Sequence, residues 1–241
     1  MQKAGSAWLF NMTNDLMRAA GGQDIRRLRS RYLLGPIMTR VNCNMGSLRA
    51  LKLAWVSLPH LFGNSYVVKT HEGPTPAALW IIDRGLMRAT YIYRDPRDVA
   101  LSVFRHGKRL REAGIASDTG FDRIDSMQAA IRFAAGRIPI WHAWKSSARA
   151  LMIRYEDLRA DTEGEVSRLC EVLDLDLDAG AIRAVVERYQ AKGSGQDRPA
   201  KRLHFDKGTS GRWREEMTQG QVALCDRLFG DHLTEMGYAR K

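Results

Sequence analysis

The sequence predicts an α/β protein with a central parallel sheet covered by helices on both faces, a three-layer α/β/α arrangement. Three observations lead there. Short runs of strand formers at Tyr66–Thr70, Thr90–Tyr93 and Leu151–Tyr155 alternate with longer stretches of helical periodicity. The residues best suited to hold or transform a ligand fall at the ends of those strands or at the start of the next helix, where open α/β sheets bind their ligands. The length of 241 residues, with 44% hydrophobic and 27% charged, suits a full core, and a single domain over residues 1–241 is expected.

Ser6–Ala20 reads as the first helix and Gly21–Pro36 as a basic, irregular segment. Asn44–Leu58 has helical spacing, with Leu48, Leu51, Trp55 and Leu58 on one apolar stripe. The strand Tyr66–Thr70 follows, then a helix over Thr75–Gly85 opened by Pro76. After the strand Thr90–Tyr93, Asp95 is a good N-cap, Pro96 fits the first helical position and Asp98 stands where a capping-box acid belongs. A helix over Pro96–Glu112 is therefore expected. Ala113–Asp122 reads as a glycine-containing loop, and Ile124–Ser147 as helical with a break near Pro139. The strand Leu151–Tyr155 precedes helices at Thr162–Leu173 and Ala179–Gln190, a loop over Ala191–Gly211 and a last helix over Glu215–Phe229. Trp141 with Trp144, and Leu86 with Met87, read as core.

The net charge of +11 suits anionic ligands or partners, with the bases spread along the chain rather than gathered in a tail. Cys43, Cys170 and Cys225 are odd in number and far apart, which points to a reducing compartment rather than a disulfide framework. No apolar run reaches the ~18 residues of a membrane-spanning helix. Asn11, Asn14 and Asp15 interrupt the segment where a signal peptide would be apolar. A cytoplasmic protein without a membrane span is expected. The six His and three Cys show neither C-x-x-C nor H-E-x-x-H spacing, so no metal site is expected.

The segment Tyr91–Ser102 carries the most chemistry. A helix start offers N–H groups and a positive dipole end to an anion, and Arg94 adds a forked cation just before it. Ser102 lies close to two turns after Asp95, so its hydroxyl shares a helix face with the cap. One phosphate can touch Arg94 and Ser102 together; the plainer alternative is a capped surface helix with a solvated Arg. Lys3-Ala-Gly-Ser-Ala-Trp8 has the parts of a phosphate cradle. Gly5 lets backbone approach an anion, the next N–H groups open a helix, and Lys3 supplies mobile charge. It is not a Walker A loop, for no G-x-x-x-x-G-K-[ST] occurs in the chain. His71 ends a strand, and imidazole, with an unperturbed pKa of ~6.5, suits proton removal near neutral pH; a His held in local hydrogen bonds is the plainer alternative.

These segments, in this order, resemble the sulfotransferases that use 3′-phosphoadenosine 5′-phosphosulfate (PAPS), of the cytosolic type with a histidine base. The resemblance implies a P-loop-like α/β/α fold and assigns roles. Arg94 and Ser102 match, in type and spacing, the residues that hold the 3′-phosphate. Lys3, Gly5, Ser6, Ala7 and Trp8 match the 5′-phosphosulfate loop, with Ala7 where a second hydroxyl residue is usual. His71 maps onto the catalytic base, and Tyr155 of Tyr155-Glu156-Asp157 onto an adenine contact, shared with Trp8. Phe205–Trp213 resembles the late Arg-Lys-Gly loop that closes over the 3′-phosphate and ends in Gly-x-Trp. Lys207, Gly208, Gly211 and Trp213 match; Asp206 replaces the expected Arg, with Arg202 or Arg212 as candidate substitutes. The implied reaction moves a sulfuryl group in line from PAPS, as co-substrate, to a hydroxyl or amine of a small-molecule or saccharide acceptor, without a metal. His71 would deprotonate the acceptor, Lys3 would hydrogen-bond the leaving phosphate oxygen, and Lys69 would add positive field.

In that family the phosphosulfate loop follows a central strand; Lys3 is the third residue here, and the sequence as it stands leaves no residues for that strand. Two other readings stay open. A small-molecule kinase on a related P-loop fold is disfavoured by the missing Walker A. A nucleotide-binding homologue without transfer activity is favoured by Asp206, whose carboxylate would repel a phosphate. The acceptor pocket is expected from Gly21–Asn42 and Gly107–Asp122. Their bases (Arg26, Arg27, Arg29, Arg31, Lys108, Arg109 and Arg111) suit an anionic acceptor or a solvated face.

Overall fold

The computed structural model describes residues 1–40, 42–116, 120–191 and 209–240. Arg202, Asp206, Lys207 and Gly208 of the expected late loop lie outside these residues. Helices and short strands alternate, as expected of an α/β chain. In order they are α1 (Ser6–Ala19), α2 (Ile25–Arg31), β1 (Asn44–Met45), α3 (Ala50–Leu61), β2 (Lys69–Thr70), α4 (Pro76–Asp83), β3 (Ala89–Tyr93) and α5 (Pro96–Glu112). A 3-10 turn (Phe121–Arg123), α6 (Met127–Ala135), α7 (Ile138–Ser147), β4 (Ala150–Arg154), α8 (Tyr155–Ala160), α9 (Thr162–Leu173) and α10 (Ala179–Ala191) follow. A short helix Trp213–Glu216 and a closing helix Gln219–Glu235 end the order. The described strands pair two by two, β1 with β2 and β3 with β4. β1 and β2 run parallel, Asn44 opposite Lys69 and Met45 opposite Thr70, with α3 as the crossover that parallel pairing requires.

By its internal contacts the chain divides into two compact units. The first holds Met1, Gly5–Ile92 and Ile140–Ala191. In it Leu9, Met12 and Leu16 of α1, spaced as one face of an amphipathic helix, pack on Ile92 of β3, Ile153 of β4 and Leu158, Leu169 and Val185 of α8 to α10. A further apolar cluster gathers Phe10, Leu28, Met38, Met45 and Val56. The second unit holds Gln2–Ala4, Tyr93–Pro139 and Lys192–Lys241. There α5 packs on α6 and on the 3-10 turn, and α6 on the closing helix. Gly107 makes the turn's approach possible: a Cβ there would lie 2.4 Å from the Phe121 carbonyl oxygen. Cys43, Cys170 and Cys225 are buried free thiols. Among the described residues no helix is long and apolar enough to cross a membrane.

Helix α5 runs over the span the caps predict, and α9 likewise. Elsewhere local chemistry moves the boundaries. Gly21–Pro36 is not irregular throughout: Asp24 accepts from the Arg26 N–H at 2.9 Å and starts α2, whose Ile25 and Leu28 are buried. Asn44 and Met45 are not helical; they pair with β2, and the helix begins only at Ala50. Because β1 offers two residues, β2 closes its ladder over Lys69–Thr70 alone rather than over Tyr66–Thr70. The expected helix 124–147 breaks between Ala135 and Ile138, next to the expected break at Pro139, but starts later, with Ser126 capping α6 through Ala129. Tyr155 opens α8 instead of ending β4. The last helix splits at Thr218, where a capping box with Gln221 starts the closing helix. Trp141 and Trp144 are buried as expected, but Leu86 is exposed.

Candidate functional site

Helix α1, like α3 and α8, starts without a side-chain cap. Helices α2, α4, α5 and α6 each begin on an Asp, Thr or Ser whose side chain accepts from the helix backbone. Helix α1 begins on Gly5, in the left-handed conformation at φ 86°, with no side-chain cap. Its first N–H groups, those of Ser6, Ala7 and Trp8, lack intrahelical partners by construction and sit at the positive end of the helix. Gly5 packs on Tyr155 so closely that a Cβ would fall 2.7 Å from the ring's Cδ2, and the Trp8 ring stands edge-on to Tyr155 with centroids 6.1 Å apart. Gly5, Trp8 and Tyr155, nominated from distant parts of the sequence, are thus brought together in the first unit. Lys3, in the second unit, has φ 62° and holds its ammonium 6.0 Å from the Phe121 ring centroid.

His71 follows β2 directly and is half-buried. Both neighbours are fastened. Thr70 donates its hydroxyl to the Met45 carbonyl at 3.0 Å and accepts from the Glu72 N–H at 3.1 Å. The Trp144 indole donates to the Glu72 carbonyl at 3.0 Å. A side chain that must meet a reacting proton is best carried on such a tied backbone. Lys69, one ladder position before Thr70, is buried, and burial pushes its ammonium down to a pKa of about 8. A base with a depressed folded pKa destabilises the fold fully below that value, and the penalty is relieved as pH rises from about 8 towards 10.5. Lys69→Met is therefore expected to stabilise the protein at neutral pH by about 2–3 kcal/mol. It should also remove the rise in stability through that alkaline window, as denaturant titrations at both ends of it would show, and it should lower any turnover that uses the charge.

The strand–helix junction at Arg94–Asp98 lies in the second unit. Arg94 and Ser102 are both buried. Arg94 donates through Nη2 to the Thr209 carbonyl at 2.7 Å and lies 3.7 Å from Asp98 Oδ2. Asp98 accepts from the N–H groups of Gly211 at 2.6 Å and Trp213 at 3.3 Å. Burial pushes the Asp98 carboxyl up, while Arg94 and the two N–H groups pull it back. Asp95 caps α5 through the Arg97 N–H at 2.9 Å and grips the Arg97 side chain, Nη2 to Oδ2 at 2.8 Å. Arg97 is fully buried; it donates to the carbonyls of Ala239 and Arg240 at 2.8 and 3.0 Å, and its guanidinium stands 3.7 Å from the Trp213 ring centroid. The junction thus ties the end of the late loop and the last turn of chain to the start of α5. The roles of Arg97 and Asp98 were not legible as such, although Arg94 and Asp98 stand at the i, i+4 spacing of an ion pair.

The bases expected to face an acceptor divide in two. Arg26 is held by Asp24 and Asn11, Arg29 by the Met38 carbonyl and Arg111 by the Asp122 and Ile124 carbonyls. Arg27 and Arg31 are exposed. Arg212, a candidate substitute for the Arg missing at Asp206, is paired with Glu216 at 2.8 Å.

A family model described as a sulfotransferase domain matches residues 66–237. Flavonol 3-sulfotransferase of Flaveria bidentis is 23% identical over 181 residues, covering 64% of this chain and 57% of that protein. Cytosolic sulfotransferase 10 of Arabidopsis thaliana is 27% identical over 205 residues, covering 75% of this chain and 58% of that protein. The chain thus spans little more than half the length of these relatives. Among solved structures, mouse sulfotransferase SULT7A1 complexed with PAP superimposes with a TM-score of 0.55 at 17% identity, covering 76% of this chain and 72% of that one. At that identity the likeness shows the fold, a P-loop-like α/β fold, and not the chemistry.

Proposed function

The chain belongs to the sulfotransferase domain family, and from that premise we propose that it transfers a sulfuryl group from PAPS to a hydroxyl or amine of a small-molecule or saccharide acceptor. One observation supports the reading above the rest: a buried Arg94 immediately before a capped helix start, with a buried Ser102 two turns on, inside the matched span. A buried forked cation suits a dianionic phosphate. Arg94 and Ser102 take the 3′-phosphate, with Lys207 and Gly208 of the late loop closing on it. The uncapped start of α1 at Gly5, Ser6 and Ala7 takes the 5′-phosphosulfate, and Trp8 and Tyr155 face the adenine. His71 removes the proton of the acceptor as the sulfur–oxygen bond forms, and Lys3 donates a hydrogen bond to the phosphate oxygen that departs. Catalysis rests on positioning and charge, as in phosphoryl transfer, and no metal is called for. The whole chain acts as one sulfotransferase-like domain, and three buried thiols without a disulfide fit a cytoplasmic setting.

Asp206 supports a second reading, a homologue that binds the nucleotide without transferring sulfate. Calorimetry with PAP and ADP, which differ in where the second phosphate sits, tests the common ground. PAP is expected to bind at least about tenfold more tightly, since a charge-assisted hydrogen bond is worth about 1.5–3 kcal/mol. Equal affinities would overturn the assignment of the 3′-phosphate site. Sulfate transfer from PAPS to a phenol then separates enzyme from binder.

A further inference from the structure

Of the apolar stripe expected on α3, Leu48 is buried and Trp55 packs on the core, while Leu51 and Leu58 are turned to solvent. The inner face of α3 carries Leu53 and Val56, both buried, while Leu51, Ala54, Leu58 and Leu61 follow at i, i+3, i+7 and i+10 on the outer face. Leu51 is 87% exposed, Leu61 75% and Phe62, at the helix end, 72%; Leu33 is 74% exposed. The Phe62 ring lies 5.9 Å from that of Tyr32, which carries the row to the end of α2, where the Arg31 guanidinium stands 5.8 Å from the Tyr32 ring centroid. Arg27 is exposed one turn earlier on α2. Single exposed leucines need no explanation, but a row of them backed by bases does.

Charge indicates what covers the row. Between Asp24, which is tied to Arg26, and Glu72 the sequence holds six Arg and two Lys and no further acid; Lys69 is buried, and Arg27, Arg31, Arg40 and Arg49 are exposed. A second copy docking by a two-fold axis would set this basic surface against itself with no acid to answer it. A nucleic acid would answer the bases and leave the leucines without a partner. A bilayer surface with anionic headgroups answers both, taking Leu51, Leu61 and Phe62 into the acyl boundary and Arg27 and Arg31 among the headgroups. We propose that this face of the first unit docks on the surface of membranes containing anionic lipid, lying on the bilayer without spanning it. Helix α3 lies outside the residues that the family model matches, so the inference stands apart from the sulfotransferase reading.

Flotation of the full chain with vesicles of phosphatidylcholine, alone or mixed with phosphatidylglycerol, tests this. Binding is expected to the mixed vesicles only. Arg27→Gln with Arg31→Gln should weaken it about 25-fold, at about 1 kcal/mol for each base near the surface. Leu61→Ser with Phe62→Ser should weaken it at least about tenfold, through lost apolar burial. These positions are exposed, and circular dichroism confirms that each variant is folded; Leu51→Ser provides an independent apolar change. No binding to either vesicle would overturn the proposal. Full retention by the apolar variants would also overturn it, leaving adsorption of a basic protein by charge alone. So would a dimer in solution that Leu61→Ser with Phe62→Ser dissociates, for the occupant would then be a second copy.

Discussion

Replacing His71 with Ala is expected to lower the rate of sulfuryl transfer by about 10²–10⁴-fold, the usual worth of general acid–base catalysis, with PAP affinity nearly unchanged. The split matters more than the size of the loss. A residue that only supported the fold would take nucleotide binding and thermal stability down with turnover. A base that acts on the acceptor proton leaves both in place and removes an interaction used in the transition state. The surroundings of His71 favour the second outcome. Its position is fixed by Thr70 on Met45 and by Glu72 on Trp144, contacts made by the backbone and by neighbouring side chains that the substitution leaves intact. Steady-state kinetics with a phenolic acceptor, beside calorimetry with PAP, give the measurement. Unchanged turnover in His71→Ala would remove His71 from the chemistry and leave transfer to positioning and charge alone.

The strand–helix junction was legible because its information is local. Asp95, Pro96 and Asp98 specify a helix start by side-chain-to-backbone chemistry within four residues, and α5 runs from Pro96 to Glu112 as that chemistry dictates. The same logic was present at Asp24 and at Thr218 with Gln221, where a basic run and an assumed continuous helix hid it. What was not legible depends on partners far along the chain. Asp98 reads as part of a cap, yet its carboxylate is used by Gly211 and Trp213. Nothing local to Arg97 shows that it is buried against Asp95, Trp213 and the carbonyls of Ala239 and Arg240. The stripe on α3 shows the limit of periodicity. Spacing gives a face but not the side of the protein it takes: of the expected stripe Leu48 and Trp55 turn inward, while Leu53 and Val56 take the interior over Leu51 and Leu58. Lys207 and Gly208 lie outside the described residues, so their place beside Arg94 rests on the family's motif.

Arg94→Ala is expected to weaken PAP binding by about a hundredfold, the loss of two charge-assisted hydrogen bonds, and to leave AMP binding nearly unchanged, because AMP lacks the 3′-phosphate. Equal loss for both nucleotides would undo the assignment. The substitution also touches the fold, and the sign of that effect is set by Asp98. Its carboxyl is already pushed up by burial, and Arg94 is the first of the groups that oppose the shift. Without Arg94 the carboxylate stays buried with only N–H partners, and the shift grows. An acid with a raised folded pKa lowers stability as pH rises through the interval between its unfolded and folded values. The variant should therefore lose more stability at neutral pH than under mildly acidic conditions, by thermal melts at each. Arg94→Lys separates the two effects. It keeps a cation beside Asp98, so most of the stability should return. A point charge on a flexible stem cannot reproduce the planar fork, so PAP affinity should recover only in part. If Lys restored affinity in full, the site would be reading charge alone. The geometry of the junction, with Arg94 aimed by Asp98 and the Thr209 carbonyl, would then have no part in recognition.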